Sequence, residues 1–147
     1  MNGVLNYRSM EDEIMITEIG KTANKSGNII NNSRVIIYDA RPKLNAQGNK
    51  FKGGGFEDLK NYKNCDLIFC DIDRIQVVSG CFKKMYEVQD NFRNFNSMES
   101  YTPLIENSGY NTMISLIFKA TNNVLNSMLE KNNNVLVHCS DGWDRTA

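Results

Sequence analysis

Val135-Leu136-Val137-His138-Cys139-Ser140-Asp141-Gly142-Trp143-Asp144-Arg145-Thr146-Ala147 decides how the rest of the chain is read. Its three leading apolar residues, two of them β-branched, read as a short buried strand that delivers Cys139 to its carboxyl end. Arg145 follows six positions after the cysteine. An ordinary thiol, with a pKa of about 8.5, is mostly protonated at neutral pH, and only the thiolate attacks. If residues 139–145 wrap into a loop, successive backbone N–H groups converge on one concavity. Such a bowl suits a phosphate dianion and lowers the pKa of a thiol at its floor. Gly142 permits the turn, and Arg145 offers a planar fork to two phosphate oxygens. The chemistry implied is attack of Cys139 on phosphorus, a cysteinyl-phosphate intermediate and its hydrolysis by water. Of the four cysteines only Cys139 meets an arginine at this spacing; Cys65, Cys70 and Cys81 meet Asp71, Gln76 and Glu87. The competing reading is a structural cysteine beside a surface arginine. The strand before it, His138, Gly142 and Thr146 together outweigh that reading.

Upstream, Ser9 followed by Asp12 is a capping pattern, and a helix is expected from Met10 to Ala23 with Met10, Ile14 and either Met15 or Ile19 on its buried face. Residues 24–33 read as a loop. Arg34-Val35-Ile36-Ile37-Tyr38 is a buried strand ended by Asp39-Ala40-Arg41-Pro42, because Pro42 lacks an N–H and turns the chain away from the sheet. Asp39 and Arg41 either pair to hold a site together, or Arg41 meets a ligand directly. Gly53-Gly54-Gly55 reads as a tight turn, since the lysine spacing of a phosphate-binding loop is missing. A short helix is expected within 56–64. Asp66 to Asp71 is a second apolar strand with Cys70 as a small buried hydrophobe. Residues 79–95 read as a helix presenting Phe82, Met85, Tyr86, Val88 and Phe92, and 96–103 as a loop. Ser108 caps a long helix over 109–131, where Met113, Ile114, Ile117, Ala120, Val124, Leu125 and Met128 form a core stripe. Asn132-Asn133-Asn134 ends it. Short apolar strands alternating with helices argue for an α/β fold: a parallel sheet flanked by helices, with ligand chemistry at the carboxyl ends of its strands.

The chain has 147 residues, the length of one domain, and its 17 basic and 17 acidic residues cancel. No global field steers it to nucleic acid. The cysteines form no Cys-x-x-Cys pair and have one histidine for company, which argues against a zinc site, and no other cofactor is expected. A nucleophilic thiol needs reducing surroundings, which favours the cytoplasm. No apolar run approaches the roughly 18 residues of a membrane span.

The segment His138 to Thr146 resembles the active-site signature of the myotubularins, phosphoinositide 3-phosphatases of the cysteine-phosphatase superfamily. Asp39-Ala40-Arg41-Pro42, with Asn45-Ala46, Asn49-Lys50 and Gly53-Gly54-Gly55-Phe56-Glu57, is similar to a second block, and Arg8-Ser9 with Glu11-Asp12-Glu13 to a third. The resemblance runs from about residue 7 to the end. It implies a cysteine-phosphatase-like fold, a single partial phosphatase domain over 1–147, and metal-independent removal of the D3 phosphate from phosphatidylinositol 3-phosphate or the 3,5-bisphosphate. The partner implied is a phosphoinositide headgroup at the surface of a membrane, endosomal for this family, with oligomerisation among myotubularins. It gives Cys139 and Arg145 catalytic roles and draws the general acid from the loop itself, Asp144 first and Asp141 as the alternative. A carboxylate beside bound phosphate is driven towards its protonated form, while Arg145 pulls the other way. Ser140, Asp141, Gly142, Trp143, Asp144 and Arg145 would surround the phosphate, with Asn49 and Ile75 also contacting substrate. Arg74, a further candidate substrate-binding residue that either adds a phosphate contact or blocks the pocket, stands where the family carries Asn, Gln76 where it carries His, and Pro103 where it carries Trp.

His138 sits one residue before the nucleophile, so on a regular strand it faces away from Cys139; a hydrogen bond that fixes the loop is its expected role. In this superfamily a helix follows the loop and aims its positive dipole end at the phosphate. Since the sequence stops at Ala147, the expectation is an incomplete phosphatase domain of little or no activity. The alternative function is a catalytically inactive adaptor, but inactive myotubularins usually replace the loop Cys or Arg, and both stand here. A tyrosine phosphatase fits less well, because Asp-Gly-Trp-Asp occupies a loop that would there hold small neutral residues.

Overall fold

A computed structural model describes residues 8–22, 34–50, 55–91 and 98–147. The loop expected over 24–33, Ala23, Gly53, Gly54 and Phe92 lie outside them. Three five-residue strands, β1 (Val35–Asp39), β2 (Cys65–Phe69) and β3 (Asn134–His138), form one parallel sheet in the order β2-β1-β3. The helices are α1 (Met10–Thr22), α2 (Lys43–Lys50), α3 (Ile75–Asp90), α4 (Met98–Asn107) and α5 (Tyr110–Leu129).

β1 is the centre because it can be: Val35-Ile36-Ile37-Tyr38 tolerates burial on both faces, and every residue of the strand is buried. Alternation then sends Val35 and Ile37 to one face, where they pack with Ile16 of α1, Tyr62 and Cys65, flanked by Ile19, Leu67 and Leu136. Tyr38 faces the other side. Its hydroxyl donates to the Asn123 carbonyl at 3.0 Å and meets the Ser127 hydroxyl at 2.8 Å, which ties α5 to the sheet. Helices therefore cover both faces, as expected for an α/β sheet.

The Ser9 hydroxyl accepts from the Asp12 amide at 3.2 Å, so α1 starts where the capping pattern put it. Of the residues expected on its buried face only Ile19, the alternative to Met15, packs there. Ile16, Ile19 and Gly20 turn to the sheet, whereas Met10, Ile14 and Met15 are exposed. Asn134 at the start of β3 donates to the carbonyls of Ile19 and Gly20, satisfying the last turn of α1 and fixing which face can pack.

Several expected boundaries shift. Residues 43–50, whose sequence shows no apolar period, form α2, launched by the Pro42 carbonyl accepting from Ala46 N at 3.1 Å and held by fully buried Ala46. No helix forms within 56–64; Asp58 accepts from Lys60 N and Asn61 N, closing a single turn before β2. α3 begins at Ile75, earlier than its apolar pattern suggested, and Phe82 and Tyr86 are exposed while Met85 and Val88 are half-buried. The segment 98–103 is helical, with Pro103 inside α4, and not a loop. In β2 the buried thiol is Cys65, and Cys70 lies half-buried just past the strand. On α5 the expected stripe is graded: Met113, Ile114, Ala120 and Val124 are half-buried, and Ile117, Leu125 and Met128 are exposed. The helix ends at Leu129, two residues short of the expected 131, and Asn132 beyond it takes the left-handed region at φ 49°.

Candidate active site

β1 and β3 run parallel with Asp39 opposite His138, so the loops after both strands open on the same edge of the sheet. The Ala40 amide donates to the His138 carbonyl at 2.8 Å and extends the pairing to the last strand residue. Cys139 then leaves the sheet only 2% exposed. Its Sγ accepts from Gly142 N at 3.3 Å, made possible by the left-handed Gly142 at φ 83°. Burial pushes the thiol up. The Thr146 hydroxyl and the amides of Gly142, Asp141 and Thr146 outweigh burial and bring the pKa down to about 6. Cys65 and Cys70 lack such donors, and burial pushes each up to about 11. One sulfur of the three is poised as a thiolate near neutrality.

The remaining loop residues line the same site. Ser140 Oγ accepts from Arg145 Nη2 at 3.1 Å and lies 3.5 Å from Asn49 Nδ2 at the end of α2. Arg145 is half-buried, with its Nε enclosed and without a hydrogen-bond partner. Asp144 Oδ2 stands 3.5 Å from Ile75 N at the start of α3, beside the extended N-cap residue Arg74, whose side chain makes no capping bond. Asp141 and Gly142 are exposed, and Trp143 is 68% exposed at the rim. The structure thus gathers Asn49, Ile75, Ser140, Asp144 and Arg145 around the loop through direct contacts, with Asp141, Gly142 and Trp143 in the loop itself.

Beneath the loop lies a network of buried charge. Asp39, fully buried, accepts from Arg41 N, Nε and Nη2 at 2.6–3.1 Å, and Arg41 Nη2 also donates to the Gly55 carbonyl at 2.7 Å. Of the two roles open to Arg41, the structure shows the pair. Asp39 raises the Arg41 pKa further, so the cation is permanent. The bond to Gly55 O fixes the segment carrying Glu57, whose Oε2 stands 3.2 Å from His138 Nε2. His138 Nδ1 lies 2.9 Å from the Cys139 carbonyl. A carbonyl only accepts, so Nδ1 carries the proton. Burial lowers the His138 pKa, but the Glu57 carboxylate beside it wins, and the net shift is upward. Burial raises Glu57, His138 opposes it, and the net shift there is downward. Glu57 is the residue that sequence reasoning left without a role; its signal was its place beside the glycine run.

Among the described residues no group of three or more His, Cys, Asp or Glu could hold a metal ion, and no helix is long and apolar enough to cross a membrane.

Residues 1–147 match the model of the myotubularin-like phosphatase domain. The chain is 39% identical over 140 residues to the human phosphatidylinositol-3-phosphate phosphatase MTMR7, covering 95% of this chain and 20% of that protein. It is 40% identical over 147 residues to the Caenorhabditis elegans phosphatidylinositol-3,5-bisphosphate 3-phosphatase mtm-1, covering 100% and 23%. With Xenopus laevis myotubularin it shares 34% over 146 residues, 99% of this chain and 23% of that one. The chain spans only a fifth to a quarter of the length of these relatives. By sequence match along its whole length, the chain belongs to the myotubularin-like phosphatase domain family.

Proposed function

We propose that the chain carries the nucleophile-bearing part of a phosphoinositide 3-phosphatase of cysteine-phosphatase-like fold, acting on the D3 phosphate of phosphatidylinositol 3-phosphate or the 3,5-bisphosphate at a membrane surface. The observation that carries this reading is a nearly inaccessible thiol at the carboxyl end of β3 whose Sγ accepts from the Gly142 amide at 3.3 Å and whose pKa the loop lowers to about 6. Those amides suit a phosphate as well as a thiolate, since both are anions at the same focus. Cys139 attacks phosphorus, and Arg145 supplies the cationic fork to the equatorial oxygens. Asp144 protonates the leaving inositol oxygen, with Asp141 as the alternative, and water then hydrolyses the cysteinyl phosphate. Asn49, through Ser140, fixes the loop wall; Arg74 and Ile75 border the substrate side; Trp143 meets the ring or lipid at the rim. The 3-phosphatase names of the relatives support the substrate class.

The test is a phosphoenzyme trap. The chain is mixed with vesicles containing phosphatidylinositol 3-phosphate, quenched in acid, and its peptides are examined by mass spectrometry. A phosphate adduct on the Cys139 peptide, absent in Cys139→Ser and weaker with a phosphotyrosine peptide as donor, is expected. Phosphate release that survives Cys139→Ser would contradict the mechanism, and preference for phosphotyrosine would contradict the substrate.

A further inference from the structure

The Glu57–His138 pair is nearly buried, and the reaction as written does not use it. Glu57 Oε2 and His138 Nε2 are enclosed and have no hydrogen-bond partner, yet they stand 3.2 Å apart, in ion-pair range. Their side chains are 13% and 11% exposed. Each atom has only the other to compensate its lost hydration. At the far side of the ring, Nδ1–H reaches the carbonyl of Cys139 at 2.9 Å.

We propose that Glu57 is a positioning residue for the nucleophile, acting through His138: its carboxylate fixes the imidazole whose Nδ1–H holds the Cys139 carbonyl, and so sets the peptide from which the loop springs. The inference rests on the reading of Cys139 as nucleophile. A single carbonyl held in place orients the peptide plane that follows it, and the Ser140-to-Gly142 amides hang from that plane. The imidazolium also places positive charge beside Cys139, with the balancing negative charge on the far side of the ring. The charged groups facing His138 are Glu57 and, from β1, Asp39, while Arg41 lies against Glu57, Asp39 and Cys139. Asp39 is already engaged by Arg41 through both oxygens, which leaves Glu57 as the carboxylate free to serve the imidazole.

His138 is the only histidine in the chain, so its ring nitrogens are read without assignment in a two-bond ¹H–¹⁵N spectrum. In the unaltered chain both nitrogens should be protonated at pH 7. In Glu57→Gln the ring should lose its proton at lower pH, and alkylation of Cys139 by iodoacetamide at pH 7 should slow about threefold to tenfold. The sign follows from loss of the cation held at the Cys139 carbonyl, which leaves the thiolate less favoured. Because the carboxylate acts through the ring, Glu57→Gln should add nothing once His138→Gln is present. A neutral imidazole at pH 7 in the unaltered chain overturns the proposal without need of any variant. So does equal slowing by Glu57→Gln with and without His138. A Cys139 that alkylates like an ordinary thiol in the unaltered chain would overturn the nucleophile reading and this inference together. A low-pH thiol indifferent to Glu57 would overturn this inference alone.

Discussion

Gly142 shows how much of the site rests on one backbone angle. At φ 83° an L side chain is strained, although a Cβ there would meet nothing within 4 Å. The cost of Gly142→Ala is therefore conformational, about 1–2 kcal/mol, with no steric clash to add. The same residue donates its amide to Cys139 Sγ, so relaxing φ should also withdraw a donor from the sulfur. Gly142→Ala is expected to lower the midpoint of denaturant unfolding modestly and to raise the pH at which Cys139 becomes reactive; unchanged reactivity would show that this amide does not hold the thiolate. Neighbouring side chains divide the other work. Ser140 faces Arg145 and Asn49, and Asp144 faces the first amide of α3.

Among the elements, β1 was readable from sequence because four consecutive β-branched or aromatic residues admit few alternatives, and β3 because its apolar run ends in the Cys-to-Arg loop. α2 escaped notice because Lys43-Leu44-Asn45-Ala46-Gln47-Gly48-Asn49-Lys50 lacks an apolar stripe; one small residue, Ala46, is its buried contact. α4 was hidden by Pro103, which removes one donor yet is tolerated within the helix. On α1 the apolar pattern leaves Met15 and Ile19 as alternatives and draws in the exposed Met10 and Ile14, because three exposed apolar residues outnumber the two that pack; the position of Asn134 decides for Ile19. Asp39-Ala40-Arg41-Pro42 was legible as a strand end with two candidate roles for its charges. Their pairing was not, since it depends on the carbonyl of Gly55 arriving from another segment. Removing one partner strands the other charge: Arg41→Met should destabilise the fold by about 3–5 kcal/mol in a denaturant titration. A loss below about 1 kcal/mol would mean that Asp39 finds other compensation.

At the scale of the whole molecule, a central strand buried on both faces brings three strand ends to one edge, and chemistry collects there. The motif, read with the strand before it, His138, Gly142 and Thr146, puts Cys139 and Arg145 in one loop, and in the structure Gly142 N reaches Cys139 Sγ while Arg145 reaches Ser140 in that loop. The Glu57–His138 contact could not be read that way, since it joins residues far apart in sequence across the sheet edge. The outcome of that assembly is selective activation of the Cys139 thiol over the buried Cys65 and the half-buried Cys70. It is tested most directly by alkylating the folded chain with iodoacetamide across pH 5–10 and resolving each cysteine peptide by mass spectrometry. Cys139 should gain reactivity with a midpoint of about 6, because its pKa is lowered on folding, and at pH 7 it should outpace Cys65 and Cys70, which burial holds at about 11. A Cys139 midpoint near the ordinary value of about 8.5, or reactivity at pH 7 no greater than that of the other two, would contradict it.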